Sequence, residues 1–553
     1  MIYERQKNPG FWLKIREDKK HTAIIEKIKK EYESFAVQGI STLNYSKRKL
    51  FWENGDRSEF ENVYFSRRSF LIRSFILSLL YPENSEYLKN TQDIMWAICE
   101  EYEWTLPAHI DFTKIDLFSS ETALLLTECL EFLGDRIDRK VRDVVSENVK
   151  RRVIDVYENG YFIWDDITDN WAAVCAGCIG MTMMYAYKEK FEIYLPRLLK
   201  TMDCFLSGFS DEGICFEGPS YWNYGFENFV WFADALKTYS NGKINLFENE
   251  IVQKVASYPC YATLGINSSV SFADSSRDIG FDWTVLKYID KNVVKLNATF
   301  KKKYCWDSIY CGNRENFILR YFLFDFSDDD IVGNEKTDCF LKSASQVIIN
   351  RENYSFAIKG GDNDELHNHN DIGSFIFADG DGQALTDLGW GFYSREYFSD
   401  ILEERYAIFC NSSLSHSVPI INGNGQSAGK EYSGSIDFSD EVITVDMKNG
   451  YSTNAIKKLL RNVKLLPNGV EINDTFDGDI LSFTDRFVTE RKPEVKKGSV
   501  TLGKTEISFN DSEMELTVNT EVHKNHEGIN ETVYLLDFTP KNKIKTLKYI
   551  INT

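Results

Sequence analysis

Two histidines one residue apart, His367 and His369 in "ELHNHNDIGSF" (365–375), are the residues of this chain most able to do chemistry. Only seven histidines occur in 553 residues. Imidazole works as an acid or base near neutral pH and is also the commonest metal ligand. The pair therefore reads as a metal site, a catalytic site, both, or a polar turn. On a strand, alternate residues share a face, so both rings would converge on one place. A zinc site wants three protein ligands, with water or another ligand completing the shell. Downstream, "ALTDLGW" supplies Asp387 and "SSLSHSVPI" supplies His416. With His367 and His369, these make a candidate metal cluster.

A second concentration lies in "DEGICFEGPSYWNYGFENF" (211–229), which sets Glu217, Tyr221, Trp222, Asn223 and Tyr224 ahead of a strong helical pattern. Loops held by a rigid scaffold carry much of protein function; the same residues also suit a packed aromatic loop with its hydroxyls on backbone. Asn170 in "TDNW" is by default a helix N-cap. His109 in "WTLPAH" follows a proline in a loop, where an isolated histidine is usually structural. Asp165, Asp166, Asp211 and Glu217 could form the acid and base pair of a glycoside hydrolase. With 84 acidic residues in the chain, their presence discriminates little. "CAGC" (175–178) has no second cysteine pair and lies in an apolar, small-residue segment, so it reads as core packing.

These residues need two kinds of scaffold. Up to about residue 330 the pattern is helical. "SSETALLLTECLEFLG" offers serine caps at Ser119 and Ser120 and a stop at Gly134. Segments 170–190 and 226–242 repeat apolar residues at three- and four-residue spacing. Many helices joined by short polar loops predict a helical array or toroid over 1–330. The acidic stretch "FDFSDDDIVGNEKTD" (324–338) is the expected linker. Beyond it, period-two patterns and turns dominate, among them "SQVIINRENYSFAIKGG" around 351–353 and the hairpin dipeptide Asn468-Gly469. Residues 331–553 are thus predicted as an antiparallel β-sandwich, with the histidine pair early in it.

Composition narrows the partners. A length of 553 residues exceeds one core, and 14% aromatics suits packed domains and leans toward carbohydrate. A net charge of −20 and the lack of a basic run exclude nucleic acid as partner. An acidic substrate would need a local cationic cleft, for which Arg67, Arg68 and Arg405 are candidates. No apolar run approaches a membrane span of ~20 residues, and "MIYERQKNPGF" carries no apolar leader core. Eleven scattered cysteines fit a reducing compartment, so a cytoplasmic location is expected. Oligomeric state is open, a homodimer included.

Taken together and in order, "WTLPAH", "DNWAAVC", "EGPSYWNYG", "HNHNDIGSF", "TDLGW" and "SLSHS" resemble the heparinase II/III-like polysaccharide lyases. The resemblance implies an N-terminal (α/α) toroid, an antiparallel β-sandwich, and β-elimination of a uronic-acid-containing glycan. By that resemblance Asn170 neutralises the uronate carboxyl, Tyr224 (or Tyr221) is base and acid, and His367 is the second acid/base. His369, Asp387 and His416 bind a divalent metal, expected to be a structural Zn2+. His109, Glu217, Tyr221, Trp222 and Arg405 are the expected substrate contacts, and an acidic oligosaccharide or polysaccharide is the expected partner. Asp371 then reads as a turn residue. A toroidal glycoside hydrolase and a glycan-binding protein with a decayed site are the alternatives.

Overall fold

The computed structural model describes residues 2–553 apart from 266–267, 278–280, 301, 305–315, 327–330, 334–337, 366 and 400. The predicted linker, 324–338, falls partly outside the described residues. The last described helix before it is Asn316–Phe324, and the first strand after it is Cys339–Leu341.

The chain folds as an (α/α) toroid followed by an antiparallel β-sandwich. Burial separates two kinds of helix. In Ser58–Leu80, every residue from Ser69 onward is buried, and in Asn170–Ala186 the same holds from Ala172 to Tyr185. Helices apolar on all sides belong inside a structure. Arg139–Val149, by contrast, buries only Val145 and Val149, and Pro9–Glu17 only Trp12 and Ile15, as outer helices do. Cys175 and Cys178 of "CAGC" are fully buried on an inner helix, consistent with packing. No helix among the described residues is long and apolar enough to cross a membrane.

Helix Leu117–Leu133 starts earlier than its serines suggest. Asp116 is the N-cap; its carboxylate accepts from the Ser119 N–H at 2.8 Å, and Ser119 Oγ accepts from the Asp116 N–H at 2.9 Å. The serines sit inside the first turn because Asp116 can close this reciprocal box. Gly134 is the stop, as expected.

Among the described residues, the β half holds sheets of nine, five and four strands. The hairpin Gln346–Asn350/Ser355–Lys359 turns at 351–354, as the sequence indicates. The later hairpin turns on Pro467-Asn468, one residue before the predicted dipeptide, with Gly469 already paired to Leu466. The five-stranded sheet is buried on both faces. Val347, Ile349, Phe356 and Phe377 join the sandwich core with Val463, Ile472 and Phe538. The alternate residues Ile348, Ala357, Ile376 and Ala378 join the core of the helical half. This accounts for the nearly unbroken apolar runs of its strands. One sheet thereby fixes toroid and sandwich against each other.

A fully buried Arg461 ties the sandwich to the loops of interest. It donates to Asp474 at 3.0 Å, to Asp485 at 2.9 Å, and to the carbonyls of Gly373 and Ser417 at 2.7 and 2.6 Å. Gly373 closes the histidine-pair loop and Ser417 follows His416. Arg461→Met leaves the buried carboxyl groups of Asp474 and Asp485 without their cation, so the urea midpoint should fall by the equivalent of about 3–5 kcal/mol. An unchanged midpoint would show that the clamp carries no stability.

Candidate active site

The histidine-pair loop is no strand. Residues 367–370 are irregular, and His367 adopts φ +55°, a left-handed conformation uncommon outside glycine and asparagine. Strand alternation therefore does not orient the pair, and a residue the sequence did not single out does. Asp274, fully buried in the helical half, accepts from His367 Nδ1 at 2.7 Å through one oxygen. Its other oxygen accepts from His369 Nε2 at 3.1 Å and from the Tyr397 hydroxyl. Burial alone would raise the Asp274 carboxyl, but the two histidine hydrogen bonds and the charges of His367 and Arg405 hold it well below the carboxylate range.

Three of the sequence motifs converge on the segment that carries Asp274. A Cβ at Gly218 (φ +92°) of "EGPSY" would lie 3.0 Å from Phe272 O, and one at Gly389 (φ +63°) of "TDLGW" 1.8 Å from Ser275 O. Both glycines are required by that approach. The Ser220 N–H donates to Ser275 Oγ at 3.2 Å, the Trp390 N–H to Ser275 O at 3.2 Å, and Ser271 Oγ–H to Asp387 O at 3.0 Å.

Around His367 a cleft of about 550 Å³ opens between toroid and sandwich. Asn170, Tyr224, Tyr221, His109 and His367 all line it. Asn170 is the first residue of its helix; the N-cap is Asp169, whose carboxylate takes the Trp171 N–H at 2.9 Å. Tyr224 lies on a π-helical turn, Trp222–Phe226, a distortion frequent at functional sites. A Cβ on Gly225 would come 3.1 Å from Asn170 Cβ, so this turn packs directly on the start of Asn170–Ala186. Tyr221 stacks on His367 with ring centroids 4.4 Å apart, and its hydroxyl pairs with that of Tyr393 at 2.9 Å. His109 is held by Asp116 Oδ2 at 2.9 Å, so the helix cap also positions a cleft residue.

Three expected substrate contacts are elsewhere. Trp222 is fully buried, with its indole N–H on Val255 O at 2.8 Å, because the π turn points it into the core. Arg405 donates to the carbonyls of Tyr397 and Asn368, bracing the loop beneath the histidines. Glu217 is buried behind His367, its Oε2 3.4 Å from His367 Nε2. Burial pushes the Glu217 carboxyl up to about 8. Burial disfavours a charged His367, but the Asp274 hydrogen bond and the carboxylate charges beside it outweigh this and raise its pKa. Arg67 and Arg68 are both committed to Glu101. Asp371 pairs with buried Lys359 at 2.8 Å, so it locks the loop to strand Ser355–Lys359 by charge.

His369, Asp387 and His416 are brought together, fully buried, with one ligand atom from each lying within 4.8 Å of the others. Their hydrogen bonds suit a metal. His369 uses Nε2 on Asp274, leaving Nδ1 buried without a protein partner. His416 Nε2 donates to Cys410 O at 2.9 Å, which turns Nδ1 toward Asp387 Oδ2 at 3.0 Å. Carboxylate and carbonyl acceptors behind ligating imidazoles are the usual support of a metal shell. Asp18, His21 and Asp325 also cluster, but there both carboxylates are exposed, and exposed acidic groups commonly sit together without an ion.

Besides Asp274, sequence reasoning missed Trp390, Tyr393, Phe398 and His526, all lining the cleft. His526 stacks on Trp390 at 3.8 Å, bringing a residue from the end of the sandwich to the site. Its one signal was the scarcity of histidine.

The architecture is that of polysaccharide lyases. The chain superposes on a heparinase III crystal structure with TM-score 0.61 over 90% of this chain and 77% of that one, at 12% identity. A chondroitin AC lyase from Streptomyces coelicolor A3, solved with chondroitin sulphate, matches with TM-score 0.60 over 100% and 82%, at 8% identity. The heparan sulfate lyase HepC from Pedobacter heparinus matches with TM-score 0.57 over 95% and 82%, at 12% identity. No family model matches the sequence, and no curated protein matches it.

A raised Glu217 binds a proton on folding, so its contribution is complete below the unfolded value of about 4.3 and is lost as pH rises through about 8. Glu217→Gln should therefore flatten the stability decline between about pH 5 and 8, a slope of up to about 1.4 kcal/mol per unit. Unfolding midpoints across that range check this; a variant that parallels the unaltered protein would contradict it.

Proposed function

We propose that this protein is a lyase that cleaves a uronate-containing glycan by β-elimination. The observation that carries the reading is the convergence of Asn170, Tyr224 and His367 on one cleft, with His367 fixed by Asp274. The C5 hydrogen of a uronate becomes acidic only if the charge that develops on its carboxyl group is stabilised. The Asn170 amide at a helix N-terminus and an imidazolium held by a carboxylate are suited to that task. Tyr224 is the proton carrier in this reading, because the Tyr221 hydroxyl is engaged by Tyr393 and its ring packs on His367. The tyrosinate takes the C5 proton, the C5–H electron pair forms the C4–C5 double bond, and the C4–O bond breaks. The departing oxygen leaves with a proton returned by the tyrosine or by His367.

His369, Asp387 and His416 would hold a divalent ion, with Zn2+ fitting two nitrogen ligands and one oxygen. Its contribution is structural, fixing the loop two residues from His367. The hydrolase alternative loses support from the site: Asp165 is paired with Arg197, Asp166 with Lys200, Glu217 is buried against His367, and none of these nor Asp211 lines the cleft.

With uronate oligosaccharides, the unaltered protein should generate the ultraviolet absorbance of a 4,5-unsaturated product. Tyr224→Phe should lower kcat by at least about 10²-fold with the fold intact. Reducing ends without that absorbance would refute elimination, and a fully active Tyr224→Phe would move the role to Tyr221.

Elemental analysis addresses the metal. Purified protein should carry a stoichiometric divalent ion, and His369→Ala and His416→Ala should each lose it. Retention in both variants would rule out this site.

A further inference from the structure

The charges around the cleft bear on which uronate glycans it takes, an inference that rests on the lyase reading. Among the described residues, the only arginines lining it are Arg57 and Arg395, and no lysine does. Both are already matched by acids. Arg57 Nε donates to Glu61 Oε1 at 2.7 Å, and Arg395 Nη2 to Glu396 Oε1 at 2.9 Å. Glu61 lines the cleft itself, as does Asp169. The other cations with a claim on the site are held behind it, Arg67 and Arg68 on Glu101 and Arg405 under the histidine loop.

The remaining wall is apolar and partly open to solvent. Phe51, Phe112, Ile163, Ile167, Trp171 and Phe398 contribute to it, with Phe112 59% and Ile163 65% exposed. Such surfaces receive the C–H faces of sugar rings. A sulfate ester is a permanent anion that gives up water only for matched cationic donors. In a protein of net charge −20, a cleft whose two arginines each already face a glutamate, with only Arg395 half open to solvent, offers it few. A single uronate carboxylate is different, since Asn170 and His367 stand ready for it.

The geometry points to an unsulfated uronate oligosaccharide as the substrate, with one carboxylate at Asn170 and His367 and the uncharged faces of the flanking sugars on the Phe112–Ile163 wall. The test compares chondroitin, heparosan and oligomannuronate tetrasaccharides, each beside its O-sulfated counterpart. kcat/KM is read from the unsaturated product, and Kd by calorimetry on Tyr224→Phe. In at least one pair the unsulfated member should be preferred by at least about tenfold in both readings, the scale set by uncompensated charge. Ile163→Arg, which puts a guanidinium on the open wall, should narrow that gap. Equal or better use of the sulfated members overturns the inference and leaves the lyase reading standing. Binding of unsulfated members without any unsaturated product overturns the lyase reading, and binding of neither member in any pair overturns both.

Discussion

A single buried carboxylate, Asp274, is the constraint on which the rest of the site depends. It comes from the helical half, yet both histidines of the pair and Tyr397 come from the β half. An ionised carboxylate in a protein interior is tolerable only when charge-assisted donors surround it. Satisfying Asp274 therefore forces the histidine loop against the toroid. The same contacts decide the chemistry of the two rings. Donation from His367 Nδ1 leaves its Nε2 side toward Glu217, while donation from His369 Nε2 leaves Nδ1 for the metal cluster.

Around that carboxylate the structure is built to resist slack. The two-faced five-stranded sheet belongs to both cores, so sandwich and toroid share packing. Arg461 holds the far ends of the loops bearing His369 and His416, and Lys359 holds Asp371 between them. Catalytic side chains work only when held close to their productive geometry. Here the holding groups are buried charges, each with its partner, and the cleft itself is left apolar with few cations.

Much of this was legible in the sequence. Apolar residues at three- and four-residue spacing up to about residue 330 and period-two patterns beyond it pointed to the two-part architecture, and motif order pointed to Asn170, Tyr224, His367 and the cluster of His369, Asp387 and His416. Asp274 was not legible: it is one of 84 acidic residues, and what distinguishes it is a tertiary meeting of loops from both halves. The roles of Trp222, Arg405 and Glu217 depend on which way a side chain points from a turn, and spacing does not report that. The π turn rotates Trp222 inward while Tyr224 lines the cleft. Gly218 and Gly389 were visible as motif letters, but their reason, close passage against 272–275, exists only in the fold.

The central claim is elimination without water. Cleavage of a uronate oligosaccharide in oxygen-labelled water, followed by mass spectrometry of the fragments, tests it most directly. The account predicts fragments whose masses sum to that of the substrate and carry no label, the non-reducing end of one being unsaturated. Fragments that together gain one water, with label at the new reducing end, would contradict it.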